Sequence, residues 1–213
     1  MSLVVLLTMF VMLGASVWVF AELVSRQTRR RQRLNLRQWA KSRQMRVMDP
    51  EAVDFATALP PLAELEPKII SFIGGSTIVL AQVWTDDSKS PIPTAESGKS
   101  RWNILQTSLP ADWPPCGLRP VAGKSSLIDR FALSSYPSLA LDRRFMVFGS
   151  ESRCASAMVA SGVLSRLPPE VGLLLHHRHL ILDFSARHYD EIEFSRMMEL
   201  VGELLALLGP ARR

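Results

Sequence analysis

The stretch that constrains this chain most is its first 46 residues. Leu3 to Ala21 is a 19-residue apolar run without a charge, broken only by Thr8, Gly14 and Ser16. A run of about 18 or more apolar residues crosses a hydrocarbon core of roughly 30 Å as a helix. In lipid a lone segment must satisfy its own backbone hydrogen bonds, which leaves helix as its form. Trp18 and Phe20 lie near the end of the run, where aromatic rings sit at headgroup level, and Glu22 marks the exit into water. The sequence therefore predicts a transmembrane anchor over residues 1–24.

A cleaved signal peptide is the rival reading. It needs a basic segment ahead of a shorter apolar core and a small-residue cleavage site behind it. Here only Met1 and Ser2 precede the run, and the positive charge follows it: Arg26, Arg29, Arg30, Arg31, Arg33, Arg37, Lys41, Arg43 and Arg46. Positive charge marks the cytoplasmic side. The expected arrangement is a single pass through an inner or plasma membrane, amino terminus outside and everything after about residue 25 in the cytoplasm. Residues 25–47 read as a basic juxtamembrane stalk, with Trp18, Phe20, Arg26, Arg29, Arg30, Arg31 and Arg33 as the membrane-contacting side chains. Within the stalk, Leu36, Trp39, Ala40 and Arg43 share one helical face, which suits either the bilayer or a docking site on the domain.

The formal charge of +5 belongs to this stretch rather than to the whole protein. Nine of the 25 basic residues fall between Arg26 and Arg46; beyond them 16 basic residues face 19 acidic ones. A slightly acidic domain argues against nucleic acid as a partner. Anionic lipid is the nearer counterpart of the arginines, at about 1 kcal/mol for each charge close to the surface. Residues 48–213 have the length of one domain. Cys116 and Cys154 lack CxxC spacing and read as small buried side chains rather than a disulfide.

Along this domain, prolines at 50, 60, 61 and 67 bound a short helix predicted over Glu51–Leu59. Ile69–Ile73 and Thr77–Trp84 predict two strands joined at Gly74-Gly75-Ser76. Residues 86–100 are polar and read as a flexible loop. Arg101–Leu109 predicts a strand ended by Pro110, Pro114 and Pro115, with Leu118–Val121 as a short edge segment, and Arg143–Phe148 predicts another strand. Glu151–Leu167 reads as one helix stopped by Pro168-Pro169. Gly172–Arg187 reads as a hairpin turning at His176–His179, with Leu173 and Leu175 on one arm and Leu180, Leu182 and Phe184 on the other. Asp190–Leu208 is a capped amphipathic helix: Asp190 suits the N-cap, Glu193 sits three residues on, and Phe194, Met197, Val201, Leu204 and Leu208 form its apolar stripe. This order predicts an α+β fold, a mainly antiparallel sheet covered by helices.

The Trp39-Ala40 pair after the arginines, Leu109-Pro110 leading to Leu118-Arg119-Pro120, Asp142–Val147 with its following helix, and the capped last helix form a recognisable succession. It resembles a family of uncharacterised bacterial proteins with one amino-terminal membrane helix. The resemblance implies the same architecture, a cytoplasmic α+β domain on a membrane tether, and brings no reaction with it.

Catalytic motifs are argued down. Gly117–Ser125 reads GLRPVAGKS, one residue too long between its glycines for a phosphate-binding loop, and Pro120 removes a donor such a loop uses. Gly149-Ser150-Glu151-Ser152 lacks the second glycine of a nucleophile elbow. His176, His177 and His179 are the weak metal candidates; zinc needs three or four ligands at suitable spacing, and no cysteine or glutamate supplies the rest. No cofactor is expected. The leading expectation is a non-enzymatic module for a protein partner at the membrane. A lipid- or small-ligand-binding module is the alternative, and an enzyme of unrecognised type the third.

Overall fold

The computed structural model describes residues 3–85, 100–121, 127–131, 134–136 and 143–209; of Leu3–Met9, Val11, Arg29, Arg33, Phe55, Glu64, Ser100, Ser134–Tyr136, Ser152, Cys154 and Ala155 it describes the backbone alone. One strand ties the sheet together. β4, Ser100–Pro120, pairs along one edge first with β3, Ile78–Thr85, and then with β6, Phe145–Gly149. Its other edge carries β7, Gly172–Asp183. β2, Lys68–Gly74, and β1, Arg46–Met48, extend the β3 side, and β5, Ser134–Tyr136, extends the β6 side. All of these pairings are antiparallel. The fold is α+β with a mostly antiparallel sheet, as the sequence implies.

The prolines of β4 do not end it. Its ladder with β7 passes from Ser108↔His179 to Trp113↔His177 to Cys116↔Leu175. Pro110, Pro114 and Pro115 fall in the gaps, where no ladder donor is required. The predicted strand end at Leu109 and the separate edge segment at Leu118 are thus one bulged strand.

The hairpin expected over Gly172–Arg187 is likewise one strand. Leu173, Leu175, Leu180 and Leu182 all pack into the same core. Residues 175 and 180 are an odd number apart, so a regular strand would put them on opposite faces. A turn would restore the phase; the chain restores it instead at His177, whose φ of 54° is left-handed. The expected Glu151–Leu167 helix divides at Gly162, φ 81°, into α3, Ser152–Ala160, and α4, Val163–Arg166. The expected Glu51–Leu59 helix is a 3-10 turn, Pro50–Ala52, and a short α2, Phe55–Ala58. The Gly-Gly turn between β2 and β3 forms as read, closed by Gly75 N–H donating to Ile78 C=O at 2.8 Å. Residues 86–99 of the expected loop lie outside the described residues.

The sheet is packed on both faces. One side buries Phe72, Val83, Trp102 and Ile104 beneath Leu59, Leu62, Leu127 and Ile128 from short 3-10 segments. The other buries Ile73, Leu80, Leu105 and Leu182 beneath α3, α4 and α5, Glu191–Leu207. Asp190 caps α5, its carboxylate accepting from the N–H groups of Ile192 and Glu193.

α1, Leu3–Ser42, is one continuous helix. Its last turns belong to the domain: Ala40 is 1% exposed, and Leu36 and Trp39 pack on the same core. The Trp39 ring lies 5.4 Å from that of Phe194 on α5. Trp39 Nε1 donates to Ser195 Oγ at 2.9 Å, and Arg43 stacks on the Trp39 ring while donating to the same hydroxyl. The helix ends in a Schellman arrangement, with Gln44 left-handed at φ 57°, Met45 N–H reaching back to Ala40 C=O and Gln44 N–H to Lys41 C=O. Met45 then enters the core and delivers the chain to β1.

The other end of α1 is bare. Phe10 is 76%, Trp18 70% and Phe20 69% exposed. Among the described residues no helix is long and apolar enough to cross a membrane; within the Leu3–Ala21 run the side chains of 3–9 and 11 are not described.

Candidate functional site

A groove of about 860 Å³ opens where α1 leaves the domain. Gln32, Leu36 and Arg37 of α1 form one wall, and Val47 and Met48 of β1 with Ile70 of β2 form the other. Val47, Met48 and Ile70 are exposed apolar side chains at the edge of the sheet. Ile70 is turned outward by a register shift between Ile69 and Ser71 in the β2–β3 ladder.

The floor is polar and comes from a row across three strands. Ser71 pairs with Gln82, and Gln82 with Asn103. Gln82 Nε2 donates to Asn103 Oδ1 at 2.8 Å, and Asn103 Nδ2 donates to the Arg187 carbonyl at 3.0 Å. Tyr189 donates its hydroxyl to Ser71 Oγ at 3.3 Å. Burial pushes the Tyr189 phenol well above its ordinary range, and the bond to Ser71 offsets only part of that. The ring is therefore a neutral donor at physiological pH. These bonds fix the floor before anything binds.

The rim is cationic. Arg37 and Arg101 line the groove and form no ion pair among the described residues. Asp49 is the acid among the lining side chains, and its carboxylate already accepts the Glu51 N–H as the cap of the 3-10 turn.

Behind the floor stands an ion cluster. Arg187 donates to Glu193 at 2.8 Å and to Glu170, and Arg196 donates to Glu193 at 2.6 Å. The hydrogen bond from Arg187 holds the Glu193 carboxyl below its ordinary range, against the opposing effect of burial. Burial works against the Arg187 charge, but Glu193 and Glu170 outweigh it and hold its proton more tightly. The cluster locks the turn between β7 and α5 that carries Tyr189.

The histidines of β7 do not make a metal centre. His177 Nδ1 lies 3.4 Å from Asp112, both of them exposed, and His176 packs its ring against His177 and Phe131. His179 Nδ1 is buried without a partner, and its pKa is lowered first by burial and then by the charge of His177. Among the described residues no three His, Cys, Asp or Glu side chains gather to hold one ion. Gly117 of the rejected phosphate-loop match lies in β4, where a Cβ would come within 2.8 Å of Ile128; Gly123, Lys124 and Ser125 lie outside the described residues.

The predicted membrane-contact side chains all fall on α1. Trp18, Phe20, Arg30 and Arg31 are exposed, and Arg26 pairs with Glu22 at 2.9 Å; the side chains of Arg29 and Arg33 are outside the described set. Neither models of protein families nor curated proteins give a match. One solved structure is similar. The crystal structure of the mycobacterial trehalose monomycolate transport factor A, TtfA, superposes with a TM-score of 0.52, covering 84% of this chain and 97% of that one. The two sequences are 11% identical, and what they share is the fold.

The floor of the groove was absent from the sequence reading, yet it left a trace there. Ser71, Gln82 and Asn103 are polar residues each flanked on both sides by apolar ones. Each alone is unremarkable; the cross-strand register makes them a row.

Proposed function

We propose that this chain is a single-pass membrane protein whose α+β domain serves in the cytoplasm as a non-enzymatic docking module for a protein partner in the same membrane. The observation that carries the reading is α1, an apolar exposed helix at one end and part of the domain core at the other. A helix of that kind fixes both the position and the tilt of the domain against whatever holds its apolar end. The Leu3–Ala21 run is long enough for a bilayer. The arginines after it support a cytoplasmic side for the domain. Tethering raises the effective concentration of a partner in the same membrane without any new contact. The likeness to TtfA supports an accessory role in a transport process.

A second reading, a module for an amphiphile, draws on the apolar walls of the groove and on the acylated sugar named for TtfA. The test is photo-crosslinking in native membranes from Ile192, an exposed apolar residue on α5, joined to carboxyl-terminal reporter fusions. The expected result is a discrete protein adduct, with a cytoplasmic reporter active and an exported one silent. A crosslink to lipid alone favours the second reading, and an active exported reporter contradicts the orientation.

A further inference from the structure

We infer that the groove between α1 and β1 docks an acidic, apolar-containing segment of the partner protein, at a level below the lipid headgroups. The inference rests on the docking role proposed above and names the chemistry of what is docked.

Charge selects the sign of the occupant. Arg37 and Arg101 face the groove without an ion-pair partner among the described residues, two positive charges against the single lining acid, Asp49, whose carboxylate accepts the Glu51 N–H. An incoming carboxylate meets two guanidinium forks, donors suited to bidentate contact. Arg30 and Arg31, exposed on the same helix nearer its amino end, extend the positive field and speed the encounter.

Shape and position select a protein over a lipid. An acyl chain is held where most of its surface is enclosed. This groove is about half open to solvent, and its floor is Ser71, Gln82 and Tyr189, hydrogen-bonding groups that suit a peptide backbone or polar side chains. Height points the same way. At 1.5 Å per residue, Gln32 lies about 16 Å along α1 from Ala21. The headgroup layer extends only about 5–8 Å beyond the hydrocarbon. A lipid would have to leave the bilayer to reach the groove, whereas the cytoplasmic segment of a neighbouring membrane protein already runs at that level. Leu36, Met48 and Ile70 then give apolar side chains of the segment somewhere to pack.

The test uses the full chain in phosphatidylcholine nanodiscs and a fluorescein-labelled peptide of alternating Glu and Leu. A matching Lys–Leu peptide and phosphatidylglycerol vesicles serve as competitors. The expected result is salt-sensitive binding of the Glu–Leu peptide, weakened about tenfold or more by Arg37→Glu with Arg101→Glu. The control pair Arg153→Glu with Arg166→Glu, exposed on α3 and α4, changes it less than twofold. Arg37 and Arg101 are exposed, so an unchanged melting temperature will certify the groove variant as folded. Equal binding of the Lys–Leu peptide overturns the inference, as does a groove double variant that binds normally. Displacement by vesicles that depends on Arg37 and Arg101 assigns the groove to lipid headgroups and overturns it too. In native membranes, a protein adduct from Ile192 but not from Met48 defeats the groove alone, and silence from both defeats the docking role itself.

Discussion

α1 carries aromatic residues at both ends, and they meet opposite surroundings. Trp18 is exposed with its apolar neighbours Val17, Val19 and Phe20. Trp39, about six turns on, is packed against Phe194, hydrogen-bonded to Ser195 and covered by Arg43. The same secondary structure thus solves two problems. Where the helix has a polar neighbour at every turn, only a narrow stripe needs covering, and α5 covers it. Where the helix is apolar all round, no stripe can be covered by one partner, and the whole surface calls for an apolar surrounding. The apolar face alone does not tell a core helix from an anchor; the width of the apolar surface does.

The largest expected effect tests that contrast directly. Trp39→Ala removes packing, a hydrogen bond and a cation–π contact, and should lower the stability of the domain by about 3 kcal/mol. Trp18→Ala should leave it within about 0.5 kcal/mol. Urea unfolding of the full chain in detergent micelles, followed by near-ultraviolet dichroism, reads both. Equal losses would mean that the two ends of α1 are not distinct.

Glu193→Ala comes next. It leaves Arg187 half-buried with Glu170 as its remaining acid and loosens the amino end of α5, on which α1 rests. A loss of about 1–3 kcal/mol is expected at neutral pH. The folded pKa of Glu193 lies below its ordinary value of 4.5, so the unfolded chain takes up the proton first. The contribution is present above about pH 4.5 and disappears as pH falls through the folded value. Wild type should therefore lose stability more steeply than the variant below pH 4.5.

Gln44→Gly probes the docked end from the opposite sign. Gln44 occupies a left-handed position that glycine adopts without strain. The variant should gain about 0.5 kcal/mol, seen as a raised urea midpoint; a loss would mean that the Gln44 side chain supports the helix end in another way. The smallest effect concerns β7. His179 has its pKa lowered, so it stays neutral in the fold while the unfolded chain protonates near 6.5. That contribution is present above pH 6.5 and lost as pH falls from there toward the folded value. His179→Leu should flatten the decline in melting temperature below pH 6.5 by a small amount, since the ring is partly exposed.

Much of this architecture can be read from the sequence, and the failures share a cause. The Gly74-Gly75 hairpin, the capped last helix and the strand at Phe145 follow from local signals. β7 does not, because the phase break between Leu175 and Leu180 has two solutions. A turn and a bulge restore the same alternation, and only the partner strand decides between them. The prolines of β4 misled in a related way, since their harm depends on which residues the opposite strand leaves unpaired. Leu36, Trp39, Ala40 and Arg43 were legible as a face, but the choice between bilayer and domain required α5 to be in place. The groove was the least legible, because its floor consists of residues brought together by register and its rim of arginines 64 positions apart in the sequence.

The central claim of the proposed function is that α1 is one helix with a lipid-facing end, a water-facing middle and a docked end. A nitroxide scan from residue 10 to residue 43, with the full chain in phosphatidylglycerol-containing vesicles, tests it through accessibility to oxygen and to a water-soluble relaxant. The account predicts oxygen access on every face up to residue 21, then water access through the arginines. Helical periodicity, with one protected face, should begin at Leu36. Water access or one-sided protection among residues 10–21 would contradict it, because that end would then rest on protein or solvent rather than in lipid.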